Sequence, residues 1–150
     1  MKPLKFLGID TGNLWGWAYL DEIGEETGHG EVHSLVDFER IIKELLERFK
    51  PHIVVTAAPT QYIRTIAKQS KWAAIIELCC EKKDIIYVEE NDAHMRKEVM
   101  GAFMIDKTLS KAERRKKRKQ EIMDYFHKDN SEEADALMMA TFLFNAQATE

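Results

Sequence analysis

The sequence predicts an α/β domain built on a five-stranded mixed sheet flanked by helices. Three observations carry this expectation. Residues 4–10 and 14–20 have strand patterning and are separated by the turn Thr11-Gly12-Asn13. The apolar run His52-Ile53-Val54-Val55-Thr56 follows a helical pattern, as a central parallel strand does. From there strand and helix patterns alternate along the chain.

Taken in order, residues 4–10 read as a buried strand that ends at Asp10. Residues 14–20 alternate large and small, with Trp15, Trp17 and Tyr19 on one face, read here as a core face. A Gly- and Glu-rich turn follows, and a short third strand is expected near residues 30–34. Asp37 is expected to cap a helix whose apolar positions, Phe38, Ile41, Ile42, Leu45, Leu46 and Phe49, recur with helical spacing. Pro51 ends that helix, and Pro59 closes the central strand after it.

Residues 61–82 predict a long helix with apolar positions spread around it (Ile63, Ile66, Trp72, Ala73, Ile75, Ile76, Leu78, Cys79). That breadth suggests burial on two sides, against the sheet and against a second subunit. Residues 84–88 read as a fifth strand, followed by a polar segment. Residues 107–126 predict a basic helix anchored by Ile122, Met123 and Phe126. Asp129-Asn130-Ser131 starts a last helix, over residues 132–146.

At 150 residues the chain is sized for one domain, 1–150. Apolar residues make up 45% and charged residues 32%, enough to bury one core and too apolar for a disordered chain. No apolar run reaches the roughly 18 residues that span a bilayer, and no secretory leader is visible after Met1-Lys2-Pro3. Cys79 and Cys80 are adjacent, where a structural disulfide is geometrically awkward. A reduced, cytoplasmic setting is therefore expected, with no membrane partner.

The formal net charge is -4, yet the charge is unevenly distributed. Residues 92–128 hold 11 Lys or Arg against 6 Asp or Glu, a local +5 that leaves -9 for the remainder. Arg114, Arg115, Lys116, Lys117, Arg118 and Lys119 are consecutive, a run that binds polyphosphate by counterion release or covers a solvated helix face.

The acidic residues are the candidate chemistry. Asp10 stands at the carboxyl end of a strand, where open α/β sheets bind ligands, although an Asp there also closes turns. Glu132 and Asp135 are three apart on a helix start and share one face. An acidic first turn suits the helix dipole and accounts for Glu132 and Glu133, but less well for Asp135, which leads into an apolar run. Together, Asp10, Glu132 and Asp135 could hold two divalent cations, which clamp the attacking and leaving oxygens of a phosphodiester.

The segment Leu7-Gly8-Ile9-Asp10-Thr11-Gly12, with Gly16 following, resembles the first-strand motif of the RNase H-like superfamily. Glu132-Glu133-Ala134-Asp135-Ala136-Leu137 resembles the C-terminal acidic motif of the RuvC Holliday-junction resolvases. The order of elements between them matches too, including Lys97-Glu98-Val99-Met100-Gly101 and the basic helix before the acidic one, so the resemblance covers nearly the whole chain. Its short length and divergent middle look more like a phage or viral branch. The resemblance implies an RNase H-like fold and a homodimeric endonuclease that resolves four-way DNA junctions by symmetric paired nicks, using two Mg²⁺ or Mn²⁺ per site. It makes Asp10, Glu132 and Asp135 the metal ligands and catalytic carboxylates. It points to Lys116 or Lys117, and of these to Lys117, as the lysine beside the metals. It assigns DNA contacts to Lys97, Lys107, Lys111 and residues 114–119, and base stacking, worth about 1–3 kcal/mol per base, to Tyr62.

One position departs from the pattern. Where the family ends its fourth strand with a metal-binding Glu, this chain reads Val54-Val55-Thr56-Ala57-Ala58-Pro59, with Ala57 at the matching place. Three explanations are open: an engineered, inactivated variant; a native site completed by another carboxylate, Glu89 or Glu90; or a native protein that binds junctions without cutting them. The competing functions are accordingly a non-cleaving branched-DNA binding module and an RNase H-like nuclease acting on flaps or hybrids. His29, His33, His52, His94 and His127 show no metal-ligand spacing and receive no role.

Overall fold

The computed structural model describes residues 3–59, 63–101 and 106–148. Its five strands are β1 (Phe6–Asp10), β2 (Leu14–Leu20), β3 (Glu25–Glu31), β4 (Ile53–Ala57) and β5 (Ile86–Glu90). Its helices are α1 (Leu35–Phe49), α2 (Ile63–Glu81), α3 (Asp92–Met100), α4 (Lys111–Phe126) and α5 (Ser131–Ala148). The strands form one sheet in the order β3-β2-β1-β4-β5. β1, β2 and β3 run as an antiparallel meander, whereas β4 and β5 are parallel to β1. The apolar run in residues 52–56 is thus the central parallel strand it was expected to be, with partners on both sides.

The two-residue period of the strands divides the core into two layers. Leu7, Ile9, Trp15, Trp17 and Val54 face α1 and α2, where Phe38, Ile42, Leu46, Trp72 and Ile76 cover them. Phe6, Ala18, Ile53 and Val55 face the opposite way, onto α5, with Met95 of α3 and Ile122 of α4 closing that layer. Met123 and Phe126 pack there as well, so the three expected anchors of the basic helix all point inward. Among the described residues no helix is long and apolar enough to cross a membrane.

Several element boundaries differ from the sequence expectation. The third strand is Glu25–Glu31, earlier than 30–34, and none of its residues is apolar. Its pairing partner makes it a strand. Gly28 and Gly30 stand opposite Trp17 and Trp15, and a Cβ on Gly28 would sit 2.6 Å from the Trp17 ring. The turn before it is closed by Asp21, whose Oδ1 accepts the backbone N–H of Ile23 at 2.8 Å and of Gly24 at 3.0 Å. The first helix is capped by Ser34, whose hydroxyl accepts the Asp37 N–H at 3.1 Å, so Asp37 lies in the first turn. The fifth strand begins at Ile86, because Asp84 takes a left-handed φ of 56° in the turn that leaves α2. The polar segment after it contains α3, started by Asn91, whose side chain accepts the His94 N–H at 3.0 Å.

Helix α2 bears on the expected subunit contact. Trp72, Ala73, Ile76, Cys79 and Cys80 are buried in this chain's own core. The outward face carries Ala67, Ser70, Ala74, Glu77 and Leu78, and Leu78 is its one exposed large apolar side chain among the described residues. The apolar breadth read from the sequence is therefore used mostly inside the chain.

Candidate active site

Because β1, β4 and β5 are parallel, their carboxyl ends open on one edge of the sheet. Asp10 is the last residue of β1, on the same face as Phe6 and Gly8, toward α5. Helix α5 crosses this face at very close range. A Cβ on Gly8 would overlap the Ala136 carbonyl oxygen and stand 3.0 Å from the Ala140 nitrogen. One on Gly16 would lie 2.5 Å from the Glu132 carbonyl oxygen and 2.8 Å from its Cβ. Gly16 is the ladder partner of Asp10. Glu132 is thereby set over the strand beside Asp10, and Asp135 follows on the same helix face one turn later.

The electrostatics follow from this crowding. Burial pushes the Asp10 carboxyl well above the ordinary carboxylate range, and the charges of Asp135, Glu132 and Asp92 add to it. Burial likewise raises Asp135 to about 6, helped by Asp92, while its hydrogen bond with Asp10 and the charges of Arg96 and Lys119 pull the other way. Burial and the hydrogen bond between Asp10 and Asp135 favour one protonated carboxyl in the pair, with Asp10 the one held higher. Asp10 and the distant pair Glu132 and Asp135 thus form one acidic centre, and α3 adds a fourth carboxylate, Asp92.

Glu133 points elsewhere. The Thr27 hydroxyl donates to its Oε1 at 2.5 Å, and His29 Nδ1 pairs with its Oε2. Burial raises its proton affinity, but these two hydrogen bonds outweigh burial and hold it below the ordinary value. Its N–H also donates to the Asn130 side chain at 2.9 Å, capping α5. Glu133 therefore ties the start of α5 to β3, which leaves Glu132 and Asp135 to the acidic centre. His29, which has no role on sequence grounds, is part of this tie.

Ala57 ends β4 and is paired in register with Glu90 of β5. Of the two replacement carboxylates, Glu89 belongs to the α2 side: the Tyr87 hydroxyl donates to it at 2.8 Å, and Tyr87 packs in the α1/α2 layer. Glu90 alternates with Val88, which packs against the α5 layer, and so shares the face of Ala57 and Asp10.

The basic helix α4 presents its six consecutive cations around its circumference, as 3.6 residues per turn requires. The charge of Lys119 reaches Asp135, and that of Arg118 meets Asp92 and Arg96. Lys117 is exposed, and its charge, like that of Arg114, acts on Asp106. Lys97, Lys107, Lys111, Arg115 and Lys116 are exposed. Tyr62 lies outside the described residues. Sequence reasoning missed Asp92 and Arg96 because 91–100 read as polar. The spacing of Met95 and Val99, one helical turn apart behind an Asn-Asp start, was the available signal.

The donors are all carboxylate oxygens, the set that hard divalent cations prefer, and the site carries more negative charge than it balances. In donor chemistry and in charge the residues fit Mg²⁺ or Mn²⁺. Among the described residues no group of three or more His, Cys, Asp or Glu side chains is arranged to hold an ion as it stands.

No protein-family model and no curated protein matches the sequence. Solved structures do match the fold. RuvC of Thermus thermophilus in complex with a Holliday junction substrate is similar at a TM-score of 0.69 and 13% identity, over 97% of this chain and 96% of that one. A second structure of Thermus thermophilus RuvC aligns at a TM-score of 0.69 and 14% identity, covering 97% of each chain. The fowlpox virus resolvase, in complex with Holliday junction DNA, aligns at 0.56 and 15% identity, over 96% of this chain and 99% of that one. The chain has the RNase H-like fold of RuvC.

Proposed function

We propose that this chain, folded as RuvC is, is a metal-dependent, structure-selective endonuclease that resolves four-way DNA junctions by symmetric paired nicks. The observation that carries the reading is the meeting of Asp10, Glu132 and Asp135 at the carboxyl edge of the sheet, beside the cationic helix α4. Asp10, Glu132 and Asp135 would hold the cations. Bound Mg²⁺ or Mn²⁺ supplies an activated water and charge neutralisation at the leaving 3′ oxygen. The protons held by Asp10 and Asp135 have to leave before both can act as ligands, so cation affinity rises with pH, beginning near 6 where Asp135 ionises and continuing as Asp10, held higher by its burial, ionises in turn. Lys119 and Arg118 flank the acidic centre and are placed to meet phosphate oxygens, and Lys117 is available from the same helix.

Incubation of a labelled four-way junction with Mn²⁺ tests this directly. The expected result is a pair of symmetric nicks, with a linear duplex of the same sequence left intact. Junction binding without nicks, even in Ala57→Glu, would sink the enzyme and leave a branched-DNA binding module, the reading that Ala57 favours. Nicks confined to flaps or hybrids would reassign the substrate.

The phosphate-binding cations have their own signature. Replacing Arg115, Lys116 and Lys119 with Gln should weaken junction binding for every sequence alike. The slope of log K against log salt should become shallower by about 0.9 for each phosphate left without its cation. An unchanged slope in a salt titration would place these cations on a solvated face.

Two symmetric cuts call for a C₂ dimer, and the outward face of α2 is the candidate contact. Ala74→Glu with Leu78→Glu should shift the mass measured by light scattering from dimer to monomer without lowering the melting temperature. A dimer that survives both changes places the interface elsewhere.

A further inference from the structure

We propose that Asp92, the first residue of α3, supplies the carboxylate that position 57 lacks, and that Arg96 is its positioning partner. The inference rests on the nuclease reading and names a further ligand within that site.

The topology places Asp92 well. β5 runs parallel to β4 and β1, so the chain leaves it at Glu90 on the edge where Asp10 ends. Asn91 turns the chain into α3, and Asp92 opens that helix directly at this edge. Met95, one turn on, is buried in the layer under α5, which fixes the helix against the element that carries Glu132 and Asp135. The Asp92 charge is felt at both Asp10 and Asp135, so its carboxylate lies within electrostatic reach of the two innermost acids. Ala57 presents only a methyl group from β4, so the carboxylate has to come from a neighbouring element.

Arg96 is the independent sign that a ligand belongs here. Its side chain is only 9% exposed, and its guanidinium forms an ion pair with Asp92 at 3.2 Å, one helical turn away. Its Nε is buried and has no hydrogen-bond partner. A buried guanidinium N–H without an acceptor is costly; among the described residues Arg114 Nε, Trp15 Nε1 and Trp72 Nε1 share that state, and Arg96 is the one of the four that is ion-paired with Asp92. Its charge also acts on Asp135, so it lies within electrostatic reach of that carboxylate too. In the cation-free protein Arg96 neutralises Asp92. With Asp92 given to a divalent cation, Arg96 would be available to a phosphate oxygen, with Nε as a donor.

Manganese binding to the full chain, without DNA, tests the assignment by calorimetry. Asp92→Asn should weaken Mn²⁺ affinity at least tenfold, and Ala57→Glu in the Asp92→Asn background should restore it. Glu90→Gln should leave affinity near the parent value. Arg96→Met should tighten Mn²⁺ binding, because it removes a competing positive charge, an effect that a purely structural arginine does not produce. Asp92→Ser, which keeps a good helix-start residue, serves if the Asn variant melts early. Parent-like affinity in folded Asp92→Asn or Asp92→Ser, with loss in Glu90→Gln, would overturn the proposal and hand the role to Glu90 while the nuclease reading stands. No Mn²⁺ binding by the parent or by Ala57→Glu would remove both.

Discussion

Asp10→Asn is expected to abolish cutting and, in the cation-free protein, to raise the melting temperature. The first effect follows from the proposed role of Asp10 as a cation ligand, whose loss should cost on the order of 10³-fold or more in rate, since several kcal/mol of charge stabilisation would go with it. The second follows from burial. The folded state holds the Asp10 proton far more tightly than an unfolded chain does, because desolvation and the charges of Asp135, Glu132 and Asp92 oppose ionisation. Below the ordinary value of 3.8 both states are protonated and no cost arises. As pH rises past it, the unfolded chain releases the proton first, and the folded state loses relative stability until its own group ionises. Asp135, raised to about 6, adds to the loss over the same window. The parent should therefore melt lower at pH 8 than at pH 5, and Mg²⁺ should restore part of the difference. Asn removes the titration, so its melt should be flatter with pH and about 3–8 °C higher at pH 8. Parallel melting curves for the two proteins across this range would mean that the carboxylates are not crowded together.

Gly16→Ala should be strongly damaging for a single added methyl group. The new Cβ would meet the Glu132 carbonyl oxygen at 2.5 Å and its Cβ at 2.8 Å, so the collision is with the backbone of α5, where no rotamer change relieves it. Overpacking of this kind costs about 1–3 kcal/mol, and the relief available is to lift α5 from the sheet. For a domain of this size that is a fall of roughly 2–10 °C in melting temperature. Activity should fall further than stability does, because the lift separates Glu132 from Asp10. Gly8→Ala strikes Ala136 in the same way, whereas Gly24 has nothing within 4 Å and its Ala variant should melt with the parent. Equal melts for Gly16→Ala and Gly24→Ala would refute the close seating of α5.

The same geometry shows how much was legible in advance. Asp10 at a strand end and the three-residue spacing of Glu132 and Asp135 are local facts, and local periodicity encodes which face each residue occupies. The central strand was readable because burial on both faces leaves a continuous apolar run. The strand Glu25–Glu31 was not, because its glycines serve the indole rings of the neighbouring strand and not its own periodicity. α3 was missed because a short helix with Met95 and Arg96 as its buried residues offers little pattern to read.

By itself the sequence determined the α/β class, the central strand and the three carboxylates that meet at its edge. The tertiary structure alone decided which charges meet. The seating of α5 on Gly8 and Gly16 brings Glu132 and Asp135 to Asp10. The parallel exit of β5 brings Asp92 and Arg96 to the same edge. The tie from Thr27 and His29 takes Glu133 out of the group. The physical reason is that hydrophobic patterning acts along a few turns of chain, whereas electrostatic coupling depends on distances that only the crossing of distant segments sets.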